Sequence, residues 1–161
     1  MIASAHLAAG IVIGLSTARL VHARFVRVAF AFAAAVVMHL LMDAVPHSDY
    51  DLVSRSVIPL VIAGEIVVVA AVAAVLLRGR LMPHWRTCVA AGLFGSAIPD
   101  AKFIAPFVLS PHNAMLVEHY GNRLHAPFHS AATAPAIGMT TQVLCTLILL
   151  ASLAAFPRHA P

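Results

Sequence analysis

Five long apolar segments are the feature that most constrains the fold of this chain. They run from about 3 to 18, 28 to 45, 57 to 77, 87 to 108 and 131 to 156. About 20 helical residues match the hydrocarbon thickness of a bilayer, where a backbone must satisfy its own hydrogen bonds. The runs are continuous rather than alternating, which disfavours a β-barrel. The sequence therefore predicts an all-α, polytopic transmembrane helical bundle of about five spans.

The composition agrees with a membrane protein. Of 161 residues, 61% are hydrophobic and 10% are charged, whereas a soluble domain carries about 25% charged residues. This length predicts one integral membrane domain over 1–161. The net charge is +4, but the basic residues form no stripe with aromatic residues between them, so we expect no nucleic-acid partner. The first segment lacks a basic n-region, and we expect a retained helix rather than a signal peptide.

Arginines predict the orientation of the bundle. They follow the first, third and fifth segments, at Arg19, Arg24, Arg27, Arg78, Arg80, Arg86 and Arg158. By the positive-inside rule these ends face the cytoplasm, with the N-terminus outside and the C-terminus inside. We expect the location to be the bacterial inner membrane. The connections at 46 to 56 and 109 to 130 would then be outer loops.

Histidines and acidic residues gather at the predicted outer ends of several segments. His39 and Asp43 are four residues apart and would share one face of a helix. Imidazole and carboxylate together suit Zn, Mn or Fe. The alternative is a buried polar pair that tightens the bundle. His6 lies near the outer end of the first segment, as part of the same site or as an interfacial residue.

Asp100 follows Pro99 in "GSAIPDAKF", where the fourth segment is expected to break at Pro99 and again at Pro106. A carboxylate inside a membrane segment needs a partner, which would be Lys102 or a metal ion. Alternatively, Asp100 caps the second half of a broken helix. Gly95 and the serine after it would let another helix approach closely.

The stretch "VEHYGNRLHAPFHS" carries His119, Arg123, His125 and His129. His125 and His129 would lie in a turn or in the first turn of the last helix. In the second case Pro127 would suit the first helical position, where backbone N–H groups favour anions. Arg123 could clamp the same anion with two hydrogen bonds. The alternative is a solvated polar loop without a site.

Deep in the third segment, Glu65 could carry a proton, pair with a histidine or stay neutral.

Three short motifs resemble a known family. "SAHLAAG", "GSAIPD" and a late histidine-rich turn ending in "HS" are similar to the small bacterial membrane-bound metal-dependent hydrolases of the YdjM-like group. The resemblance implies a polytopic helical bundle with a divalent metal at one membrane face. The family's "PDxD" element reads "PDAK" here, and "HLLMDAVPHSDYD" would supply the acidic residues instead.

Two hypotheses of different classes follow. In the first, the chain is a metal-dependent hydrolase that acts at the outer membrane face on a lipid-like or phosphoester substrate. His39 and His119 would orient ligands or move protons, and Arg123 would bind an anionic headgroup. The predicted metal is Zn, with Mn or Fe as alternatives. Its predicted ligands are His6, Asp43, Asp100, His125 and His129.

In the second hypothesis the chain is a non-catalytic membrane subunit or carrier. Its histidines and aspartates would bind a metal or pigment, or conduct protons. A small scaffolding protein with a polar outer cap is a third interpretation. The sequence leaves the oligomeric state open.

Overall fold

The computed structural model describes residues 3–45, 56–78, 83–125, 127 and 135–155. Within these residues the chain is helical and contains no β-strand, so the all-α prediction is confirmed. A 3-10 turn, Ile98–Asp100, joins the fourth helix to the fifth. The helices are α1 Ala3–Leu20, α2 Arg24–Asp43, α3 Ile58–Leu77, α4 Pro83–Ala97, α5 Ala101–Val108, α6 Pro111–His125 and α7 Pro135–Ala154.

The predicted break in the fourth segment lies at Pro99 and not at Pro106. α4 ends at Ala97, immediately before the 3-10 turn that contains Pro99. Proline has no N–H to donate and its ring crowds the preceding turn, which ends an α-helix. Pro106 lies inside α5, which continues to Val108. The second predicted break is therefore wrong.

The predicted outer loop at 109 to 130 is largely helical, which corrects the sequence prediction. α6 begins at Pro111, a favourable first position, and ends at His125. Ala114, Val117 and Gly121 recur at helical spacing on its less exposed side, and α6 packs on α5. The last helix is described from Pro135, and residues 128–134, which follow Pro127, lie outside the described residues.

Two stretches are long and apolar enough to cross a membrane, judged by length and composition alone. They are Arg24–Asp43 and Trp85–Val108, the second of which passes through the 3-10 turn. Three further apolar helical stretches in the described residues are shorter, namely Ser4–Leu20, Ile58–Ala74 and Thr140–Ala154. The coarse prediction of helices that could span a membrane is thus supported.

α1 lies at the centre of the bundle and packs against α2, α3, α4 and α7. Its closest neighbour is α4, and glycines permit the approach. A Cβ atom added to Gly10 would lie 2.5 Å from the carbonyl oxygen of Gly92, and one added to Gly14 would lie 2.6 Å from that of Cys88. Such small-residue crossings are typical of helices that associate in membranes.

Arg19, Arg27 and Arg86 lie at the end of this bundle opposite the histidine–aspartate pairs. Arg27 donates hydrogen bonds to the carbonyl oxygens of Val21 and His22, which holds the turn between α1 and α2. An apolar cluster packs near that end and includes Leu15, Ala18, Trp85 and Leu153. The start of α1 and the ends of α2 and α4 meet at the other end.

Candidate metal site

Three titratable side chains meet at the end of the bundle opposite the arginines. α1 contributes His6, and the last turn of α2 contributes His39 and Asp43. Nε2 of His6 lies 3.2 Å from Oδ1 of Asp43, and Nε2 of His39 lies 3.0 Å from Oδ2. All three side chains are at most 1% exposed. Polar groups this deeply buried need strong partners, because water cannot solvate them.

The backbone of α4 determines which nitrogen of His39 faces Asp43. Nδ1 of His39 lies 2.7 Å from the carbonyl oxygen of Ser96. A carbonyl oxygen only accepts hydrogen bonds, so Nδ1 carries the proton and donates it. In a neutral imidazole the other nitrogen, Nε2, then carries the lone pair. This second contact of the ring is the arrangement by which proteins orient metal-binding histidines.

A second carboxylate approaches the same nitrogen. Asp100, in the 3-10 turn after α4, has Oδ1 3.6 Å from Nε2 of His39, and its side chain is 21% exposed. A lone pair and two carboxylates facing one another in a buried space repel. The arrangement therefore requires a shared proton or a bound cation between them.

The nitrogen–oxygen distances suit hydrogen-bonded pairs and also neighbouring ligands of a small divalent cation. In a tetrahedral zinc site with bonds of about 2.0–2.1 Å, neighbouring ligand atoms are about 3.3 Å apart. The three nitrogen–oxygen separations here are 3.2, 3.0 and 3.6 Å. One ligand atom from each of His6, His39 and Asp43 can be chosen so that all lie within 4.8 Å of one another. Two imidazoles and a carboxylate are a donor set that Zn, Mn and Fe accept.

The two imidazole rings are stacked, with centroids 3.8 Å apart and planes 20° from parallel. Nearly parallel rings do not direct two lone pairs at one point, so binding of an ion requires one ring to tilt. His6 is the freer of the two, because its Nδ1 makes no hydrogen bond to the described part of the chain. His39 is held by the Ser96 carbonyl group.

A small cavity of about 50 Å³ lies beside the site. His6, Ser96 and Asp100 supply its polar lining, and apolar side chains such as Phe103 and Ile104 complete it. This volume accommodates a few water molecules. Asp100 is the most exposed acid of the group, so the site opens on its side.

Glu65 stabilises the start of the helix that carries His6. Its Oε2 accepts a hydrogen bond of 3.0 Å from the backbone N–H of Ser4. The first N–H groups of a helix have no partner within the helix, and a carboxylate there is favoured by the helix dipole. Glu65 thus ties α3 to the first turn of α1, two residues before His6.

The structure brings together four of the eight residues singled out from the sequence: His6, His39, Asp43 and Asp100. His39, expected to orient ligands, belongs to the candidate ligand group itself. His119 and Arg123 are exposed on α6 and lie outside this three-residue group, with the His119 ring against Tyr120. His125 is the last residue of α6, and His129 lies outside the described residues.

Sequence reasoning missed the Ser96 carbonyl group, since a backbone acceptor has no signature in residue types. It also missed the glycines that draw α1 onto α4. The spacing of Gly10 and Gly14 in "GIVIG" was an available signal for them. The expected close approach at Gly95 is confirmed, because its position meets the backbone of Phe32 in α2.

No family model, curated protein or solved structure matches this chain. The geometry of the buried group alone carries the functional argument.

Proposed function

We propose that this chain is a membrane-embedded metal-dependent hydrolase whose ion is held by His6, His39 and Asp43. One observation carries the proposal. Nε2 of His39 faces the carboxylates of Asp43 and Asp100 while Nδ1 donates to the Ser96 carbonyl oxygen. A divalent cation relieves the repulsion among these groups more completely than a single proton does, because it can bond to all of them.

The proposed membrane topology has five spans, with the N-terminus outside. α3 and α7 each have 20 residues, which corresponds to about 30 Å and matches a bilayer core. α1 is slightly shorter at 18 residues. Arg19, Arg27 and Arg86 lie at one end of these helices and the buried site at the other, so by the positive-inside rule we propose that the site is at the outer face. We propose the bacterial inner membrane as the location.

Each polar residue has a proposed role. His39 is the rigid ligand, His6 tilts to complete the site, and Asp43 bridges the two rings. Asp100 faces the cavity, where it can act as a further ligand or accept a proton from a water molecule. A divalent ion bound there would supply Lewis acidity and acidify that water. His119, Arg123, His125 and His129 are proposed outer-face contacts of the substrate or the ion.

A lipid-like or phosphoester molecule is the proposed substrate class. The site lies at the ends of apolar helices, where a headgroup of a bilayer lipid would be within reach. The motif resemblance to the YdjM-like membrane hydrolases leads to the same proposal. Zn is the proposed ion, with Mn and Fe as the other metals that accept this donor set.

A proton-handling membrane subunit is the second candidate function. The stacked rings and the short distances between imidazole and carboxylate also fit a histidine–aspartate cluster that shares a proton. The two candidates differ in whether the positive charge at Nε2 is an ion or a proton. Metal content separates them.

The test is elemental analysis of protein purified without chelators. We expect about one Zn, Mn or Fe ion per chain in the wild type. Asp43→Asn should lose most of it and Asp100→Asn should lose less, because Asp43 touches both rings. The matched control is Glu118→Gln, which neutralises an exposed acid on α6 and should retain the ion. A wild-type protein without metal, even after added zinc and dialysis, would favour the proton-handling subunit.

A further inference from the structure

A long apolar groove adjoins the candidate metal site. It has a volume of about 520 Å³, within the range of ligand-binding clefts. α3 and α4 form its walls and α1 forms its floor. Its lining contains only apolar residues, including Leu7, Ile11, Ala70, Ala90 and Phe94.

The groove borders the small polar cavity beside His6 and Asp100. Leu7, Ile66 and Ala97 line both spaces. A molecule lying in the groove therefore has one end beside the histidines and carboxylates. From that point the groove leads away from the site along α3 and α4.

We infer that this groove holds one acyl chain of a membrane lipid whose headgroup reaches the metal site. The inference rests on the proposed function and names its substrate as an acyl lipid. The polar cavity at one end and the purely apolar lining beyond it match the two parts of such a molecule.

The length of the groove favours an acyl chain over a partner helix. Its walls extend from Ile66 to Ala74 on α3 and from Val89 to Ala97 on α4. Eight residues of helix rise about 12 Å. The groove is therefore close in length to one acyl chain, which extends over about half of a hydrocarbon core of about 30 Å. A transmembrane helix from a second copy would need a surface that extends through both leaflets.

The groove orients the bound lipid more than it increases the affinity of the protein for that lipid. Lipid tails are as apolar as the groove, so the hydrophobic effect does not drive the chain from the bilayer into the groove. Packing contacts and the polar site select the position. The groove thereby aligns the scissile bond of the headgroup with the ligand residues, as substrate-positioning surfaces do.

Photocrosslinking tests the inference directly. The wild-type protein is reconstituted in phosphatidylglycerol vesicles that contain phosphatidic acid with a diazirine in its acyl chain. After illumination, labelled residues are mapped by mass spectrometry. We expect Ala70 and Ala90 to be labelled well above Val68 and Ala71, which are exposed on α3 outside the groove lining.

A matched pair of variants makes the test specific. Ala70→Phe places a large side chain in the groove, whereas Ala71→Phe places it on another exposed part of the same helix. Ala70→Phe should reduce labelling of Ala90 to the level of the bilayer-facing control residues. Ala71→Phe should leave the preference for Ala90 intact. Equal labelling inside and outside the groove, or chain-to-chain crosslinks in place of lipid adducts, would overturn the inference.

The two proposals can fail independently, because metal content tests the ion site and photolabelling tests the groove. A wild-type protein that binds metal but is labelled uniformly retains the metal site and loses the acyl groove. A protein that binds no metal but is labelled preferentially in the groove keeps the lipid site and loses the proposed hydrolase. Asp43→Asn should retain part of the groove labelling, because the packing contacts of the groove remain when the metal ligand is lost.

Discussion

Gly10→Ala should both destabilise the bundle and weaken metal binding, although Gly10 touches neither ligand nor substrate. A Cβ atom at this position would lie 2.5 Å from the Gly92 carbonyl oxygen and 2.5 Å from the Ser96 hydroxyl oxygen. Ordinary contacts of this kind begin at 3.4 Å, so the neighbouring atoms must yield by about 0.9 Å. The Gly92 atom is backbone, and α1 must therefore move away from α4.

The size of this movement determines both effects. Overpacking of a close-packed interface costs about 1–3 kcal/mol of the free energy of unfolding. His6 lies one turn before Gly10 on the same helix, and metal–ligand distances tolerate about 0.2 Å. A displacement of α1 several times larger than that tolerance should lower the affinity for zinc by about 10–100-fold, as for changes that disturb ligand orientation.

The matched control is Gly64→Ala in α3. No atom lies within 4 Å of a Cβ atom placed at Gly64. Alanine is the better helix former, so this variant should be about 0.5–1 kcal/mol more stable than the wild type. Unfolding in mixed micelles, followed by circular dichroism, measures stability, and calorimetric titration with zinc measures affinity. If Gly10→Ala matched Gly64→Ala in both measurements, the assigned contact between α1 and α4 would be refuted.

Three further expectations concern other parts of the chain. Glu65→Leu removes the acceptor for the Ser4 N–H group and should lower zinc affinity by about tenfold, whereas Glu65→Gln retains an acceptor and should restore most of it. Arg27→Met removes two hydrogen bonds to the carbonyl groups of Val21 and His22 and should lower the free energy of unfolding by about 1 kcal/mol; an unchanged unfolding curve would contradict this. In a background without Cys88 and Cys145, Asn122→Cys should react with a membrane-impermeant thiol reagent in intact cells and His22→Cys should not. The reverse labelling pattern would invert the proposed topology.

The helical fold could be predicted from the sequence because long, continuous apolar segments rich in alanine and leucine favour helices over strands. α1, α2 and α3 begin and end close to the predicted limits. The prediction was wrong at α6, because its mixture of histidines and polar residues is typical of a loop. Among the side chains that the structure describes, Ala114, Val117 and Gly121 form its less exposed stripe, which is short. Packing on α5 outweighs that weak local signal.

Half of the candidate site follows from spacing along one helix. His39 and Asp43 are four residues apart, so any helix at this position brings them together. His6 is different, because its distance to Asp43 depends on how closely α1 and α2 approach. Gly10 and Gly14 mark α1 as a helix with a close neighbour, but they do not specify which helix that is or which His6 rotamer results.

The dipeptide Pro99–Asp100 connects the fold to the chemistry of the site in a way that only the structure reveals. Pro99 ends α4 at Ala97, so Ser96 lies in the last turn, where carbonyl groups lack regular partners within the helix. The Ser96 carbonyl oxygen is thereby available to His39 Nδ1, which leaves Nε2 to face the acids. The same break turns Asp100 toward that nitrogen, at 3.6 Å. Pro99→Ala should therefore extend α4, engage the Ser96 carbonyl group within the helix and release His39 from its fixed orientation. We expect zinc affinity to fall about 10–100-fold in this variant while both carboxylates remain, which distinguishes orientation of the ligands from their mere presence.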